Sequence, residues 1–305
     1  MTDLDRSRDD LTVVPARYPG RWAAAVVMLV IAALIGISMV ANERFGWDVV
    51  AQYLFAPPIV AGLMTTLMLT GASMLIGIVL GILLAVGRLS PNPIVAGAAW
   101  LYSWFFRGTP LLVQLLFWFF LSALYPKIVL GVPFGPEWLH FDTNSLITPL
   151  TAALLGLSLN EGAYMSEIVR AGIIAVPRGQ TEAAEAIGMT RMQAMFRVVL
   201  PQAMRVIIPP TGNEVIGMLK NTSLVLVIGY SELMTATQSI YARTFETIPM
   251  LIVAAIWYLV MTAVLSIAQH YIEKRVGRGF EQTVRVQKPA MTVTEAIATQ
   301  RRVKA

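Results

Sequence analysis

Residues 182–201 read EAAEAIGMTRMQAMFRVVLP, a polar stretch set into a chain otherwise made of long apolar runs. It divides at Gly188. Before that point, Gln180–Ile187 are good helix formers apart from Thr181, and Glu182 and Glu185 lie toward the positive N-terminal end of the helix dipole. Gly188 fits the position just past a helix end, where glycine turns left-handed without a Cβ penalty. After it, Thr190 followed by Gln193 fits a capping box that opens a second helix, and Pro201 is expected to stop that helix. The result is two short helices around a sharp turn, with Met189, Met192, Met195, Phe196 and Val199 on one apolar side. Such a side suits the lipid surface, and a Met-rich apolar face rimmed by charge also suits a groove in another protein.

Working outward, the rest of the chain is built for lipid. Its 305 residues are 56% hydrophobic and 13% charged, whereas soluble domains carry roughly 25% charged residues. Mean hydropathy is +0.66. With no cysteine, disulfides, thiolate metal sites and cysteine nucleophiles are excluded, and the redox compartment stays open. The two histidines, His140 and His270, are too far apart in sequence to suggest a metal site. The net charge of +5 gathers in loops beside apolar spans, which argues against a nucleic-acid partner.

A spanning helix needs about 20 mostly apolar residues. Six stretches qualify: Trp22–Val40, Ile59–Val86, Leu111–Tyr125 with its flanks, Ile147–Ile168, Val206–Tyr230 and Ile248–Tyr271. The expected class is therefore an all-α membrane protein with about six transmembrane helices. An inside N-terminus leaves only Arg44, Lys127 and Arg243 in the outer segments, puts Lys220 within a span, and leaves the other 19 of 23 basic residues on the cytoplasmic side. The positive-inside bias thus makes both termini and the 182–201 segment cytoplasmic. Residues 1–21 and 276–305 read as solvated tails. The first apolar run follows a long segment of mixed charge and exceeds a signal-peptide core, so an uncleaved helix is expected.

Within the second run, Gly77 and Gly81 make a small-xxx-small face that lets helix backbones approach closely. Trp100, Tyr102 and Trp104 suit the headgroup layer. Pro110 disfavours helix at Thr109, so a surface helix is expected to turn there into a spanning one. That leaves Arg107 at the cytoplasmic edge, where headgroup anchoring is its expected role.

Polar groups inside spans are costly and therefore functional by default. One cluster is Asn160, Glu161, Tyr164 and Glu167 in the fourth run; the other is Asn213, Glu214, Lys220, Asn221, Thr222 and Ser223 in the fifth. Pro209, Pro210, Gly212 and Gly217 predict that the fifth run is discontinuous, and broken helices at midplane are where transporters place substrate sites. Asn160, Glu161, Tyr164, Lys220, Asn221 and Thr222 are the candidate substrate-pathway residues. Glu161 and Lys220 could pair with each other or meet the two charged ends of an amphoteric solute. Glu214 and Glu167 are expected to face the cytoplasmic side or a helix interface.

The spacing Glu182-Ala183-Ala184, Gly188, Val198 and Leu200-Pro201 resembles the EAA signature of ABC import permeases, with valine where that family usually has isoleucine. The run Arg107 to Gln114, RGTPLLVQ, resembles the polar amino acid subfamily, as do Ala163-Tyr164, Glu167, Gly179-Gln180, Asn213-Glu214 and Lys220 with Thr222-Ser223-Leu224. The resemblance covers about residues 58–275, preceded by an extra helix and outer loop at 22–57 whose role it does not specify. It implies a five-helix importer core plus that N-terminal helix, in the bacterial inner membrane.

The resemblance further implies the partners: a second permease copy, identical or a sister chain, an ATPase dimer and an external amino acid-binding protein. The coupling helices at 179–201 would dock on the ATPase, with Glu182, Ala183, Ala184, Gly188, Leu200 and Pro201 as the coupling residues. ATP and Mg would sit on that partner, so this chain needs no cofactor and is not itself an enzyme. The residues agree independently: none of the five lysines follows a glycine, as a phosphate-binding loop requires. A self-sufficient secondary transporter or channel is the competing reading, and it has no need for a docking helix.

Overall fold

The computed structural model describes residues 19–131 and 137–276, so most of both expected tails lies outside the described residues. Helix α1 (Pro19–Ala41) begins before the predicted span and buries none of its face. Asn42 caps a 3-10 turn, Glu43–Phe45, and Gly46 leads into the short α2 (Trp47–Tyr53). The Trp47 indole N–H ties this corner back to the Met39 carbonyl at 3.1 Å.

Helix α3 (Pro57–Arg88) starts on prolines, which are pre-shaped for a first turn. Its 32 residues would extend about 48 Å, longer than a bilayer core and long enough to organise the molecule. It contributes to each of the three apolar clusters: Ile59 and Leu63 to one, Leu69 and Met74 to the second, Ala85 to the third. Helix α4 (Pro93–Gly108) follows, its N-terminus capped by Asn92. Thr109 is extended, at φ −109° and ψ 141°, so the chain breaks before Pro110 as predicted. The next run is not one span but two pieces, α5 (Leu111–Phe119) and α6 (Leu121–Leu124), bent at Phe120.

The expected outer loop then folds as a hairpin, β1 (Lys127–Gly131) against β2 (Glu137–Asp142), antiparallel with Ile128 opposite Phe141. Its alternating apolar residues were too few to stand out beside the long apolar runs. After α7 (Thr143–Leu146), Thr148 caps α8 (Pro149–Ile174), the most deeply packed helix. A Cβ on Gly77 would meet the Glu161 side chain at 2.6 Å, and one on Gly81 would strike Met165. Register advances in the same direction on both helices, so α3 and α8 run parallel along the predicted small-residue face. Close backbone approach there replaces the hydrophobic drive that lipid cannot supply.

Helix α9 (Arg178–Ala186) and α10 (Arg191–Ala194) form the expected pair. The second does not stop at Pro201. A π turn, Met195–Val199, joins it to α11 (Leu200–Asn221). Pro201 sits in the first turn of α11, where its missing N–H is not needed, so it continues the helix instead of ending it. Nor does α11 break at Pro209 and Pro210. Each proline forgoes one ladder bond, and the helix is held past them by Gln269, which donates to the Pro209 carbonyl at 3.3 Å and to Asn213 Oδ1 at 3.1 Å. The discontinuity comes later, as a 3-10 segment, Thr222–Ile228, ended by left-handed Gly229.

Two helices close the fold, α12 (Leu233–Thr244) and α13 (Thr247–Val276). Glu232, fully buried, caps α12: its carboxylate accepts from the Met234 and Thr235 amides at 2.9 and 2.6 Å and from the Tyr258 hydroxyl of α13 at 3.1 Å. Among the described residues, α1, α3 and α13 are long and apolar enough to cross a membrane by themselves. Helices α8 and α11 have the length but carry charged residues, and the third predicted run is broken into short helices.

Candidate functional site: a polar cleft and a capped turn

The α4–α5 corner builds one wall of a cleft. Gln114 of α5 reaches back to donate to the Phe106 and Thr109 carbonyls at 2.9 and 3.1 Å and to the Thr109 hydroxyl at 2.8 Å. Asn160 of α8 donates to the same Phe106 carbonyl at 2.9 Å. These bonds satisfy carbonyls that a helix end leaves open, so the break is held rigidly. Tyr102 donates to the Leu159 carbonyl at 2.8 Å and the Ser103 and Ser166 hydroxyls lie 2.9 Å apart, which clamps α4 to α8. Trp100 and Trp104 stack on each other and are exposed, as a lipid-facing side requires; Tyr102 turns inward instead.

The cleft has a volume of about 410 Å³. Its walls are Arg107–Leu111 from the corner, Asn160, Glu161 and Tyr164 from α8, and Glu214 and Asn221 from α11. Four of the six predicted pathway residues thus come together. Thr222 does not join them: it is buried, and its hydroxyl donates to the Leu219 carbonyl at 2.7 Å. Lys220 is exposed outside the cleft and forms no ion pair with Glu161, so of the two roles weighed for them the pairing is absent, and Lys220 does not line the cleft where a solute's charged end would sit. On α11 the cleft-lining Glu214 and Asn221 lie seven residues, about two turns, apart and so share a face; Lys220 is offset from it.

Glu161 is the cleft-lining acid with a buried, unpartnered oxygen. It is 3% exposed, and its Oε1 accepts no hydrogen bond. A buried carboxylate oxygen without a donor is expensive, which marks the place where a donor-bearing ligand would fit. Arg107 is not limited to a headgroup role. Its guanidinium lies 5.4 Å from the Tyr164 ring centroid and 3.6 Å from Glu167 Oε1. Glu214, expected elsewhere, also faces the cleft. The signal for Arg107 was the proline-forced break at Thr109: an open backbone corner at membrane depth must line a cavity or be buried.

The second site is the turn after α9. Gly188 has φ +85°, its N–H bonds the Glu185 carbonyl at 3.0 Å, and the Met189 N–H reaches the Ala184 carbonyl at 3.1 Å. That pattern is a Schellman motif. Thr190 and Gln193 complete the capping box with bonds of 3.3 and 2.9 Å. Ala184 is buried while Glu182 and Ala183 are exposed, so the small residue seats the helix and the acid faces outward. The apolar side splits: Val199 turns into the core, and Met192 and Phe196 stay exposed beside Ile187. Leu200 and Pro201 open α11 directly behind this surface.

Residues 77–278 match the family described as binding-protein-dependent transport system inner membrane component. An arginine transport system permease protein of Corynebacterium glutamicum is 50% identical over 272 residues, 88% of this chain and 84% of the relative. An L-cystine transport system permease protein of Bacillus subtilis is 39% identical over 236 residues, 76% of this chain and 92% of the relative. A solved structure described as an amino acid ABC transporter with histidines is similar at 36% identity and TM-score 0.62, over 74% of this chain and 97% of that one. The fold is also that of a methionine ABC transporter in an inward-facing conformation, at 20% identity and TM-score 0.54, over 72% of this chain and 96% of the other. Signature, fold and matched length agree, and the chain belongs to the family of inner-membrane components of binding-protein-dependent transport systems.

Proposed function

We propose that this chain is the transmembrane pathway subunit of an ATP-driven importer for polar amino acids, with both termini and the α9–α10 turn on the cytoplasmic side. Residues 58–275 form the permease domain, residues 22–57 an added helix and outer loop, and 1–21 and 276–305 cytoplasmic tails. An external binding protein delivers the solute, a second permease copy completes the pathway, and an ATPase dimer holding ATP and Mg docks on Glu182, Ala183, Ala184 and Gly188. The single observation that carries this reading is the continuity of one helix. From the capping box at Thr190 the chain runs without a stop to Asn221, so movement at the docking surface reaches Glu214 and Asn221 in the cleft.

Solute passes between Glu161, Asn160 and Tyr164 on one side and Glu214 and Asn221 on the other. Two carboxylates there favour a solute with a cationic side chain, and the arginine permease relative at 50% identity supports the same class. Lys220 and Thr222 act next to the pathway at the end of α11 rather than on its wall.

The test is uptake of labelled L-arginine into proteoliposomes holding the permease, its ATPase and its binding protein. Uptake should require ATP inside the accessible compartment, and Glu182→Lys should abolish it while insertion and thermal unfolding stay unchanged. Uptake driven by an ion gradient without ATPase would instead establish a secondary transporter.

A further inference from the structure

Near the cleft, three arginines surround one carboxylate. Arg88 at the end of α3 lies 3.1 Å from Glu167 Oε1, and Arg107 at the end of α4 lies 3.6 Å from the same oxygen. Arg170 donates to Oε2 through Nε at 3.0 Å and through its terminal nitrogen at 2.8 Å. One negative charge thus answers three positive ones. Arg170 already gives two donors to Oε2, and Arg88 is mostly covered, at 16% side-chain exposure. Arg107 has the longest contact, the greatest exposure of the three at 45%, and is the member that lines the cleft.

The other charged walls of the cleft are the acids Glu161 and Glu214. A small solute entering it therefore meets carboxylates on one side and a guanidinium with unused donors on the other. We propose that Arg107 binds the α-carboxylate of the transported amino acid, and that Glu167 is a positioning residue that holds the Arg107 guanidinium at the cleft. The inference rests on the cleft being the solute site. Arginine's planar fork matches a carboxylate with two parallel bonds. The 3.6 Å contact to Glu167 is too long for a strong hydrogen bond, so it sets direction without consuming the donors. The Tyr164 ring lies within cation–π reach of the guanidinium, at 5.4 Å, and favours its place at the cleft. Without Glu167, the acids across the cleft become the competing partners of Arg107, and the site would close on itself. A lipid phosphate presents the same anion chemistry at a membrane edge, and lipid composition separates the two sources.

The experiment uses the permease–ATPase complex in nanodiscs without binding protein, titrated with L-arginine and with agmatine, its counterpart lacking the carboxylate. The expected result is tighter binding of L-arginine than of agmatine in the wild type. Glu167→Gln and Arg107→Gln should each cut that ratio about tenfold, the loss expected for one charge-assisted contact, by weakening L-arginine alone. Arg107→Lys keeps the charge but loses the fork, and should give an intermediate ratio; it decides the matter if Glu167→Gln does not fold. Glu161→Gln, in contrast, should weaken both ligands. An unchanged ratio in the Arg107 and Glu167 variants, with both ligands weakened by Glu161→Gln, overturns this proposal and leaves the cleft standing. No effect of Glu161→Gln on either ligand, or no binding by the wild type, overturns the cleft assignment and this proposal with it. A wild type without preference for L-arginine over agmatine while anionic lipid is present, and with a preference once that lipid is omitted, assigns Arg107 to headgroups in the membrane and also overturns it.

Discussion

Helices α8 and α11 both carry polar residues through the membrane, yet they are held in opposite ways. Helix α8 is buried along its length from Ala152 to Gly172, and several of its polar groups are pinned: Asn160 to the Phe106 carbonyl, Ser166 to Ser103, Glu167 to three arginines. Helix α11 buries only Ala203, Ile207, Met218 and Leu219. It enters through a π turn and leaves through a 3-10 segment, so both of its ends depart from α-helical geometry. On the function proposed above, the contrast is that of a fixed wall and a driven one. The cleft lies between them, so whatever moves α11 relative to α8 changes the shape offered to solute.

The largest expected effect attacks the drive. Gly188 has φ +85° and open space around it, so Gly188→Val meets no neighbour but forces a β-branched residue into a left-handed turn. ATP-dependent uptake should fall to background while membrane insertion holds and the unfolding midpoint drops only modestly, the strain being confined to one exposed turn; normal uptake would remove α9 as the input. The next attacks the fixed wall. A Cβ at Gly81 would strike Met165, so Gly81→Ala should cost about 1–3 kcal/mol by overpacking. A thermal shift in detergent would read this, and an unchanged midpoint would mean that α3 and α8 are not rigidly seated.

A smaller effect is expected at the cleft. Glu161→Gln keeps the shape but removes the charge, and should raise the KM for uptake of a cationic amino acid about tenfold, equivalent to about 1.4 kcal/mol. Unchanged KM with lowered stability would make Glu161 part of the wall only. The smallest effect sharpens the comparison itself. Ser166→Ala on α8 loses an inter-helix bond and should cost about 1 kcal/mol. Thr211→Ala on α11 loses only a bond to its own helix, and its cost should fall within about 0.5 kcal/mol. Equal losses at the two positions would erase the distinction between the walls.

Features set by local chemistry could be read directly from the residues. The turn at Gly188 and the capping box at Thr190 follow from backbone preferences and side-chain reach within a few residues. The break at Thr109 follows from Pro110, and the α3–α8 contact from the spacing of Gly77 and Gly81. The errors arose where one local signal has two tertiary outcomes. Pro201 can end a helix or begin one, and a π turn decided for beginning. Pro209 and Pro210 can break a span or be carried within it, and the packing of α11 against α13 through Gln269 decided for carriage.

The sequence by itself determined a multi-pass membrane bundle, its corner at Thr109, its capped turn at Gly188, and the set of polar residues from which a site could be made. Only the tertiary structure decided which of them meet. Glu161, Tyr164, Asn160 and Asn221 share a cleft, Arg107 and Glu214 join them, and Lys220 and Thr222 stay off its wall. The physical reason is that helix periodicity gives the face on which a residue lies, whereas the neighbour of that face depends on crossing geometry set by contacts far apart in sequence. The 182–201 segment shows the same division: its turn is local, but that its second helix runs on into the cleft wall is a property of the assembled bundle.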